Sequence, residues 1–313
     1  MPTAAGVRIH WSDLPASVRA GVEDLVGGGP VVRADSQEGG FSPGSADRIV
    51  TADGHRAFVK AANLALNEHT PGLYRREAAI TAQLPAHIPA TRLLGTYDDG
   101  DWVALILADV EGRHPRTPWL RGEIDAVAAT LDELAHALTP CPVANAPLAA
   151  DELRGDFRGW RALRDEPWPD LPAIAQDHLE DLLALADQAV DAIAGDTLVH
   201  LDVRADNLLV RPDGSVVLVD WPWACRGCAW LDSLCLLVNV ELYGGHDVEE
   251  LLRCSATLTR APHQAVDAVL AGLCGYFFNA GRRPPHPALP TLKQFQRDQG
   301  AAVLGWLARR LHW

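Results

Sequence analysis

The chain has 313 residues, of which 48% are hydrophobic and 22% charged, and its formal net charge is −14. This composition predicts a globular protein with a sizeable core, long enough for one large or two ordinary domains. The acidic net charge argues against binding of duplex nucleic acid, which needs clustered Lys and Arg. The sequence contains no apolar run of about 18 residues, so no membrane span is predicted.

The start of the chain and its cysteines bear on the compartment. Residues 1–13 have no basic stretch followed by an apolar segment, so no signal peptide is predicted. The six cysteines are scattered without a disulfide framework. Cys225 and Cys228 form a C-x-x-C motif, but no second motif accompanies it, which disfavours zinc or redox chemistry. We therefore expect a cytoplasmic protein with reduced thiols.

The amino-terminal part of the chain predicts a helix followed by strands. Residues 13–26 place apolar side chains on one helical face, and three glycines end the pattern. The pair Asp53-Gly54 is a strong hairpin signal between two of the strands. Strands are predicted over residues 30–37, 46–52 and 55–62.

The loop over residues 38–45 is rich in glycine, as a backbone must be where its amides approach phosphates closely. Its candidate nucleotide-binding residues are Gly39, Gly40 and Ser42. The spacing matches neither G-x-G-x-x-G nor the P-loop motif. By itself, the loop is better interpreted as an ordinary hairpin turn.

Lys60 lies on the third predicted strand, and Glu77 lies on a helix predicted over residues 73–84. A Lys on this strand paired with a Glu on the next helix fixes the ammonium group against nucleotide phosphates in a kinase small lobe. A lone Lys or Glu is usually a surface charge. The two together, and in this order, favour a function.

Two further strands complete a five-stranded antiparallel sheet, over residues 91–98 and 102–110. The chain then becomes helical, and we place a domain boundary there, between an amino-terminal lobe at 1–110 and a carboxy-terminal lobe at 111–313. Helical periodicity predicts helices over residues 121–138, 174–194, 231–243, 248–258, 264–280 and 292–311.

One β-hairpin, over residues 208–219, is the lone β element predicted in the helical half. Its turn chemistry sets Val210 opposite Val216. The same register places Asn207 opposite Val219 and next to Asp220, so an amide oxygen and a carboxylate meet at the open end of the hairpin. Two hard oxygen ligands suit a Mg²⁺ ion that completes its shell with water and phosphates.

The residues before this hairpin have the spacing H-x-D-x-x-x-x-N of a kinase catalytic loop, at His200, Asp202 and Asn207. Any one of them alone is more often structural, because Asp and Asn flank turns and cap helices. The joint pattern favours phosphoryl transfer to a hydroxyl group. In that reaction one carboxylate orients the hydroxyl and accepts its proton, while two other groups hold the metal.

These motifs, taken in order, resemble the aminoglycoside phosphotransferase and choline kinase-like family, a branch of the protein-kinase fold. The resemblance implies an α+β, protein-kinase-like bilobal fold, with a small antiparallel β-sheet lobe and a larger, mostly α-helical lobe. The motifs span most of the chain. They are Gly39-Gly40, Lys60, Glu77, the hinge at 105–112, the segment from His200 to Asn207, and Asp220.

The resemblance also implies roles for the residues of the second half. Asp202 is the catalytic base, and His200 supports its loop. Asn207 and Asp220 bind Mg²⁺. Asp232 corresponds to the family's Asp at the start of the following helix, where a carboxylate is favoured by the helix dipole; a structural role is expected for it in preference to contact with the substrate.

For the first half, the resemblance implies a nucleotide site. Lys60 and Glu77 form the ion pair on the phosphate side. Backbone atoms at Ala108, Asp109 and Val110 receive the purine. The donor is ATP or GTP, and recognition by backbone atoms does not distinguish the two.

Departures from the family pattern bear on the substrate. Leu201 stands where many members have Gly, and Trp221-Pro222 replaces the Phe-Gly of protein kinases. No A-P-E motif follows, so no peptide-docking segment is visible. A small hydroxyl compound held among the carboxy-terminal helices is expected, with a cationic one as an open alternative. Acidic residues that could meet an amine, each also interpretable as solvated surface, are Asp206, Asp151, Glu152, Asp156 and Glu241.

Three functions remain to be compared. The first is a small-molecule O-phosphotransferase that uses a purine nucleoside triphosphate and Mg²⁺. The second is a nucleotide-binding module without catalysis, against which the presence of Lys60, Asp202, Asn207 and Asp220 counts. The third is a protein kinase, against which the missing A-P-E motif counts. The sequence predicts neither the acceptor nor the oligomeric state.

Overall fold

The structure is a computed structural model, and it describes residues 8–37 and 43–313. A five-stranded antiparallel sheet occupies the amino-terminal part, in the order β1-β2-β3-β5-β4. Each strand lies within two residues of its predicted bounds, which confirms the predicted sheet. The strands are β1 (Val31–Ser36), β2 (Ser45–Thr51), β3 (Arg56–Asn63), β4 (Leu93–Asp98) and β5 (Trp102–Ala108).

Helix α1 (Ala16–Val26) covers one face of this sheet, after a 3₁₀ turn at Trp11–Asp13. Its fully buried side chains Val18 and Val22 pack in one apolar cluster with strand residues such as Ile49 and Ile106. The periodic apolar residues that predicted the helix are therefore those that hold it on the sheet.

Helix α2 (Thr70–Thr81) covers the other face, where Tyr74 packs with Leu105 and Leu107. The predicted bounds of this helix, 73–84, were wrong by three residues at each end. Asn67 explains the earlier start, because its side-chain oxygen accepts hydrogen bonds from the backbone N–H groups of His69 and Thr70. Pro71 then occupies the first turn, where a missing N–H costs nothing.

The rest of the chain is mainly helical and encloses the largest apolar cluster. Two predicted helices, at 231–243 and 292–311, have the bounds of α8 and α11. The predicted helix at 174–194 is divided in two, and the one at 248–258 ends at Cys254. The helices are α3 (Arg121–Ala137), α4 (Ala149–Leu153), α5 (Gly159–Asp165), α6 (Ala173–Asp177), α7 (Leu179–Ala192), α8 (Leu231–Tyr243), α9 (Val248–Cys254), α10 (His263–Gly281) and α11 (Leu292–Leu311).

Four short strands lie within the helical part: β6 (Thr197–Val199), β7 (Leu208–Val210), β8 (Val216–Leu218) and β9 (Cys225–Gly227). Strands β7 and β8 form the predicted hairpin, with Val210 opposite Val216. The expectation that it is the lone β element there was wrong, because β6 pairs with β9. This second ladder ties together the two ends of the segment that carries the H-x-D-x-x-x-x-N motif.

The sheet ends at Ala108, and the domain boundary after residue 110 stays a prediction. We call β1–β5 with α1 and α2 the small lobe, and the part from α3 onward the large lobe. Within the described residues, no helix combines the length and the hydropathy needed to cross a membrane.

Candidate active site

His200 follows β6 directly and is 1% exposed. Its Nε2 atom lies 2.9 Å from the carbonyl oxygen of Val219, and its Nδ1 atom lies 3.3 Å from the backbone nitrogen of Asp202. This network assigns the neutral tautomer that donates from Nε2 and accepts at Nδ1. Burial lowers the pKa of His200, which also favours the neutral ring. His200 thus connects the loop to the strand end before Asp220.

Asp232, in the first turn of α8, holds the same loop from the other side. Its two carboxylate oxygens accept hydrogen bonds from the backbone N–H groups of His200 and Leu201, at 2.8 and 2.9 Å. Leu201 has a positive φ of 68°, a conformation that costs a residue with a side chain about 1–3 kcal/mol. The two hydrogen bonds to Asp232 keep the loop in that conformation. Leu201 adopts a backbone angle that Gly takes freely.

Asp202 lies on this loop, and each of its carboxylate oxygens accepts a hydrogen bond from a side chain. Oδ1 accepts a hydrogen bond from Arg204 at 2.8 Å, and Oδ2 accepts one from the side-chain amide of Asn207 at 2.9 Å. Burial raises the pKa of Asp202 to about 6, although the Arg204 guanidinium opposes the shift. A carboxylate with a pKa close to neutral suits a general base for a hydroxyl proton.

Asn207 and Asp220 meet at the open end of the β7–β8 hairpin, since the backbone N–H of Val219 donates to the carbonyl oxygen of Asn207 at 3.0 Å. The side-chain nitrogen of Asn207 donates to Asp202, which leaves its amide oxygen as the atom for a ligand. Asp220 has a positive φ of 67°, tolerated by Asp more readily than by most residues. Both side chains line the same cleft.

This pair of oxygen donors fits a Mg²⁺ ion. No group of three or more His, Cys, Asp or Glu side chains in residues 8–37 and 43–313 has the arrangement of a metal site. An all-protein metal cage is therefore not formed by these residues. Mg²⁺ characteristically takes one or two protein oxygens and completes its shell with water and phosphate.

Lys60 of β3 lies between two carboxylates. Its Nζ atom is 2.5 Å from Oε2 of Glu77 and 2.8 Å from Oδ1 of Asp220. Burial opposes the charge of Lys60, but Asp220 and Glu77 outweigh it and raise the pKa of the ammonium group. Burial also raises the pKa of Glu77, while Lys60 opposes that shift. The ammonium group is thus held charged beside Asp220, although 160 residues separate the two in the chain.

A cleft of about 330 Å³ lies under the sheet, large enough for a small ligand. Lys60, Asn207 and Asp220 line one part of it, and Phe58 and Leu107 contribute apolar surface. Phe58 lies on the same strand face as Lys60, so the period-two pattern of β3 could have identified it from the sequence.

The three predicted purine-binding residues, Ala108, Asp109 and Val110, also line this cleft. The Asp109 side chain is 4% exposed and forms ion pairs with Arg48 and Arg56, at 3.2 and 2.6 Å. The carbonyl oxygen of Val110 accepts a hydrogen bond from Arg48 at 2.7 Å. Sequence reasoning missed Arg48, because an isolated Arg on a strand carries no motif.

Gly39, Gly40 and Ser42 lie outside the described residues, so their predicted role in phosphate binding stays a prediction. Gly44, which follows, has a φ of 140°. A Cβ atom there would lie 2.4 Å from the carbonyl oxygen of Ala61. The strand pairing beside the loop therefore requires glycine at this position.

Comparison with protein-family models matches residues 40–265 to the phosphotransferase enzyme family. The match covers more than two thirds of the chain. The chain belongs to this family. It is a small-molecule phosphotransferase, a kinase that acts on a hydroxyl group. A comparison with curated protein sequences found no match.

Solved structures show that the fold is protein-kinase-like, as predicted. Choline kinase LicA from Streptococcus pneumoniae has a TM-score of 0.62 at 13% identity, with 95% of this chain and 98% of that chain covered. An aminoglycoside phosphotransferase from Alicyclobacillus acidocaldarius has a TM-score of 0.56 at 17% identity, with coverage of 96% and 97%. A thermostable mutant of aminoglycoside phosphotransferase APH(4)-Ia, in a ternary complex with ADP and hygromycin B, has a TM-score of 0.58 at 14% identity, with coverage of 92% and 98%.

In this phosphotransferase, Arg204 was not among the predicted site residues. Its guanidinium binds Asp202 at 2.8 Å and both carboxylate oxygens of Asp206 at 3.0 Å, and it lies 5.8 Å from the ring of Phe295. The position of Arg204, two residues after Asp202 in the motif, was the available signal. Arg204 fixes the orientation of the candidate base Asp202 and neutralises the charge of Asp206 in an ion pair.

The acidic residues considered for an amine-bearing acceptor differ in their partners. Four of them form ion pairs with arginines: Asp206 with Arg204, Glu152 with Arg76, Glu241 with Arg309, and Asp151 with Arg154. The side chain of Asp156 forms no ion pair or hydrogen bond with the described residues. Burial, followed by the charge of Glu152, raises the pKa of Asp156 to about 6.

Tyr276 of α10 is affected by the charges of both Asp156 and Asp202. Burial raises the pKa of Tyr276 to about 12, and the negative charges of both Asp156 and Asp202 add to the shift. Tyr276 is therefore close enough to both carboxylates to be affected by each. Of the acidic residues considered for the acceptor, Asp206 lines the cleft, whereas Asp156 does not.

Proposed function

We propose that the protein transfers the γ-phosphate of ATP or GTP, bound with Mg²⁺, to a hydroxyl group of a small amine-bearing molecule. The observation that carries the proposal is that Lys60, Asn207 and Asp220, which come from both lobes, line one cleft, and that Asp202 is hydrogen-bonded to Asn207 at its edge. These are the groups that phosphoryl transfer requires: a cation for the phosphates, oxygen ligands for a metal and a base for the hydroxyl. The similar APH(4)-Ia enzyme is known in a complex with ADP and hygromycin B, which supports both a nucleotide and a small molecule as ligands of this protein.

Each residue has a distinct role in this proposal. Lys60, oriented by Glu77, binds the nucleotide phosphates. Asn207 and Asp220 hold Mg²⁺, which supplies positive charge to the phosphates when bound. Asp202 orients the acceptor hydroxyl and accepts its proton. We also propose that residues 1–110 form the nucleotide lobe, with Gly39, Gly40 and Ser42 near the phosphates.

The purine site is proposed at Ala108, Asp109 and Val110, with the backbone of this segment facing the base. Phe58 offers an aromatic surface in the same cleft. The Asp109 carboxylate does not take part, because Arg48 and Arg56 cover it.

An amine-bearing acceptor is favoured by Asp156. A partly buried carboxylate without a cationic partner is unfavourable in the free protein, and a bound ammonium group would relieve that cost. The other acidic candidates are already paired with arginines. The proposed acceptor is therefore a cationic small molecule whose hydroxyl lies near Asp202 and whose ammonium group reaches Asp156.

The test is a coupled assay of nucleoside diphosphate release, with ATP and with GTP, over a panel of aminoglycosides, sugars and amino alcohols. We expect release that depends on both Mg²⁺ and one class of amine-bearing acceptor. A phosphorylated neutral sugar, with no turnover of any amine, would overturn the cationic part. Nucleotide binding without acceptor-dependent release across the panel would instead favour a non-catalytic nucleotide-binding module.

A further inference from the structure

Helix α2 of the small lobe also contacts the large lobe, through different side chains. Tyr74 and Ala78 pack against the small-lobe sheet, and Glu77 binds Lys60. Ile80 packs in the core of the large lobe, and the side-chain oxygen of Gln83, just beyond the helix, accepts a hydrogen bond from the backbone of Ala144 at 3.0 Å. The position of α2 relative to the large lobe therefore affects where Glu77 lies.

Arg76, one residue before Glu77, contacts the large lobe. Its Nη1 atom lies 2.8 Å from Oε2 of Glu152 on α4, and both side chains are about one quarter exposed, at 24% and 23%. The guanidinium also lies 5.8 Å from the ring of Trp223, and Nη2 is 3.4 Å from the carbonyl oxygen of Ala224. Arg76 thus reaches both α4 and the segment that follows Asp220.

We infer that the Arg76–Glu152 ion pair is an inter-lobe clamp that positions α2, and through Glu77 sets the ammonium group of Lys60 against Asp220. The inference rests on the proposed function, in which Lys60 binds the nucleotide phosphates. Arg76 and Glu77 are adjacent on one helix, so a displacement of α2 moves Glu77 with it. A shift of this kind changes the phosphate anchor without removing any group that touches the nucleotide. Arg76 is a positioning residue.

The chain contains a matched control on the same helix. Arg75 forms an ion pair with Asp98 of β4, with Nε–Oδ2 and Nη2–Oδ1 distances of 2.7 and 2.8 Å. This pair lies entirely within the small lobe. It tests whether loss of any Arg ion pair on α2 is enough to disturb the nucleotide site.

The experiment is a double-mutant cycle with Arg76→Met and Glu152→Gln in the full-length protein. Binding of ATP and of GTP, each with Mg²⁺ and without acceptor, is measured by calorimetry, and thermal unfolding is measured in parallel. We expect each single variant to weaken nucleotide binding about fivefold, and the double variant to bind no worse than either single one. The reversed pair Arg76→Glu/Glu152→Arg should recover most of the affinity. Arg75→Met and Asp98→Asn should leave it within about twofold of the parent.

Several outcomes would overturn the clamp: strictly additive single effects, an equal loss in the Arg75→Met variant, or no recovery in the reversed pair. If Arg76→Met does not fold, the cycle uses Arg76→Lys, which keeps the charge but not the planar fork that contacts Glu152 and the Ala224 carbonyl together, and the same coupling to Glu152→Gln is expected. A parent protein that binds neither nucleotide would contradict the proposed function itself. A parent that binds nucleotide, with no coupling in the cycle, would contradict only the clamp.

Discussion

Asp202 and Asp220 lie on either side of Asn207 in the sequence, but their carboxylates have different partners. Asp202 contacts Arg204 and Asn207, whereas Asp220 contacts Lys60. Substitution of each carboxylate by an amide of the same shape should therefore affect different steps of the reaction.

Asp202→Asn should lower kcat about a hundredfold to ten-thousandfold, because an orienting group or general base contributes about that much. Nucleotide affinity should stay close to that of the parent. Turnover with the acceptor found in the panel, together with calorimetry of the Mg²⁺–nucleotide complex, provides the measurement. Near-parental turnover in this variant would exclude Asp202 as the base.

Asp220→Asn should weaken binding of the Mg²⁺–nucleotide complex as well as turnover, because it removes one negative charge from a site for a hard cation. The same calorimetric titration, repeated over a range of Mg²⁺ concentrations, measures the effect. Excess Mg²⁺ should restore part of the affinity. Equal nucleotide affinities of the parent and the variant would contradict the metal-binding role.

Asp156 provides a prediction about pH. Its pKa is raised to about 6, so the side chain becomes protonated and neutral as the pH falls through that value. The KM for an amine-bearing acceptor should therefore fall as the pH rises from 5 to 7, and Asp156→Asn should abolish this part of the pH dependence. Asp151→Asn, at an exposed position of α4, is the control and should keep it.

The same shift has a consequence for stability. Because the folded-state pKa of Asp156 lies above its unfolded-state value, the folded protein binds more protons between pH 4 and 6, and the carboxylate destabilises it as the pH rises. Asp156→Asn should then raise Tm at pH 7 and have little effect at pH 4. A lower Tm at pH 7 would mean that Asp156 has a stabilising partner.

At the scale of elements, the loop that carries the proposed base Asp202 is held at two places: the β6–β9 ladder joins its flanks, and Asp232 of α8 binds two backbone N–H groups at its start. Asp232→Ala should lower the free energy of unfolding by about 2–4 kcal/mol, since two largely buried donors lose their acceptor. Denaturant unfolding measures this change. Asp247→Ala, which removes the exposed N-cap of α9, is the comparison and should cost about 1 kcal/mol.

Equal losses of stability in Asp232→Ala and Asp247→Ala would indicate that Asp232 acts as a helix cap only. The sequence suggested that kind of role, because the position of Asp232 at a helix start was visible and its loop partners were not. Leu201 and Asp232 are 31 positions apart in the sequence, and tertiary packing brings them together, which local sequence patterns do not encode.

The predicted helices and strands were most accurate where the hydrophobic periodicity extended over many residues or where clear turn residues marked the boundaries. The turn residues of the β7–β8 hairpin determined its register, and α11 shows the predicted bounds. Strands β6 and β9 were missed because three residues are too few to reveal alternation. The end of α2 was predicted too late, because Ala82, Gln83 and Leu84 are good helix formers after the last helical residue.

For the whole molecule, the order of the motifs predicted the kinase-like fold, since each motif has a fixed place in that architecture. The lobe interface was not predictable in the same way. Contacts such as Lys60–Asp220 and Arg76–Glu152 join residues 160 and 76 positions apart. Such contacts depend on how the lobes pack, and the single sequence contains no pattern for them.

The net charge of −14 gives a prediction at this scale. Binding of a cationic acceptor should weaken as salt rises, because charges at exposed carboxylates are screened over about 8 Å at physiological ionic strength. Between 50 mM and 500 mM potassium chloride the Debye length falls about threefold. The KM of an amine-bearing acceptor should rise over this range, whereas the KM of a neutral hydroxyl compound should not. Acceptor KM values independent of salt would contradict a cationic substrate.

In the proposed purine site, the Val110 carbonyl already accepts a hydrogen bond from Arg48, which bears on the design of competitive inhibitors. A heterocycle that offers a hydrogen-bond donor to that carbonyl has to displace a guanidinium group that is also held by Asp109. Compounds that direct their donors elsewhere along the segment avoid this competition. A scaffold chosen on that basis would discriminate between this enzyme and kinases whose corresponding carbonyl is open to the ligand.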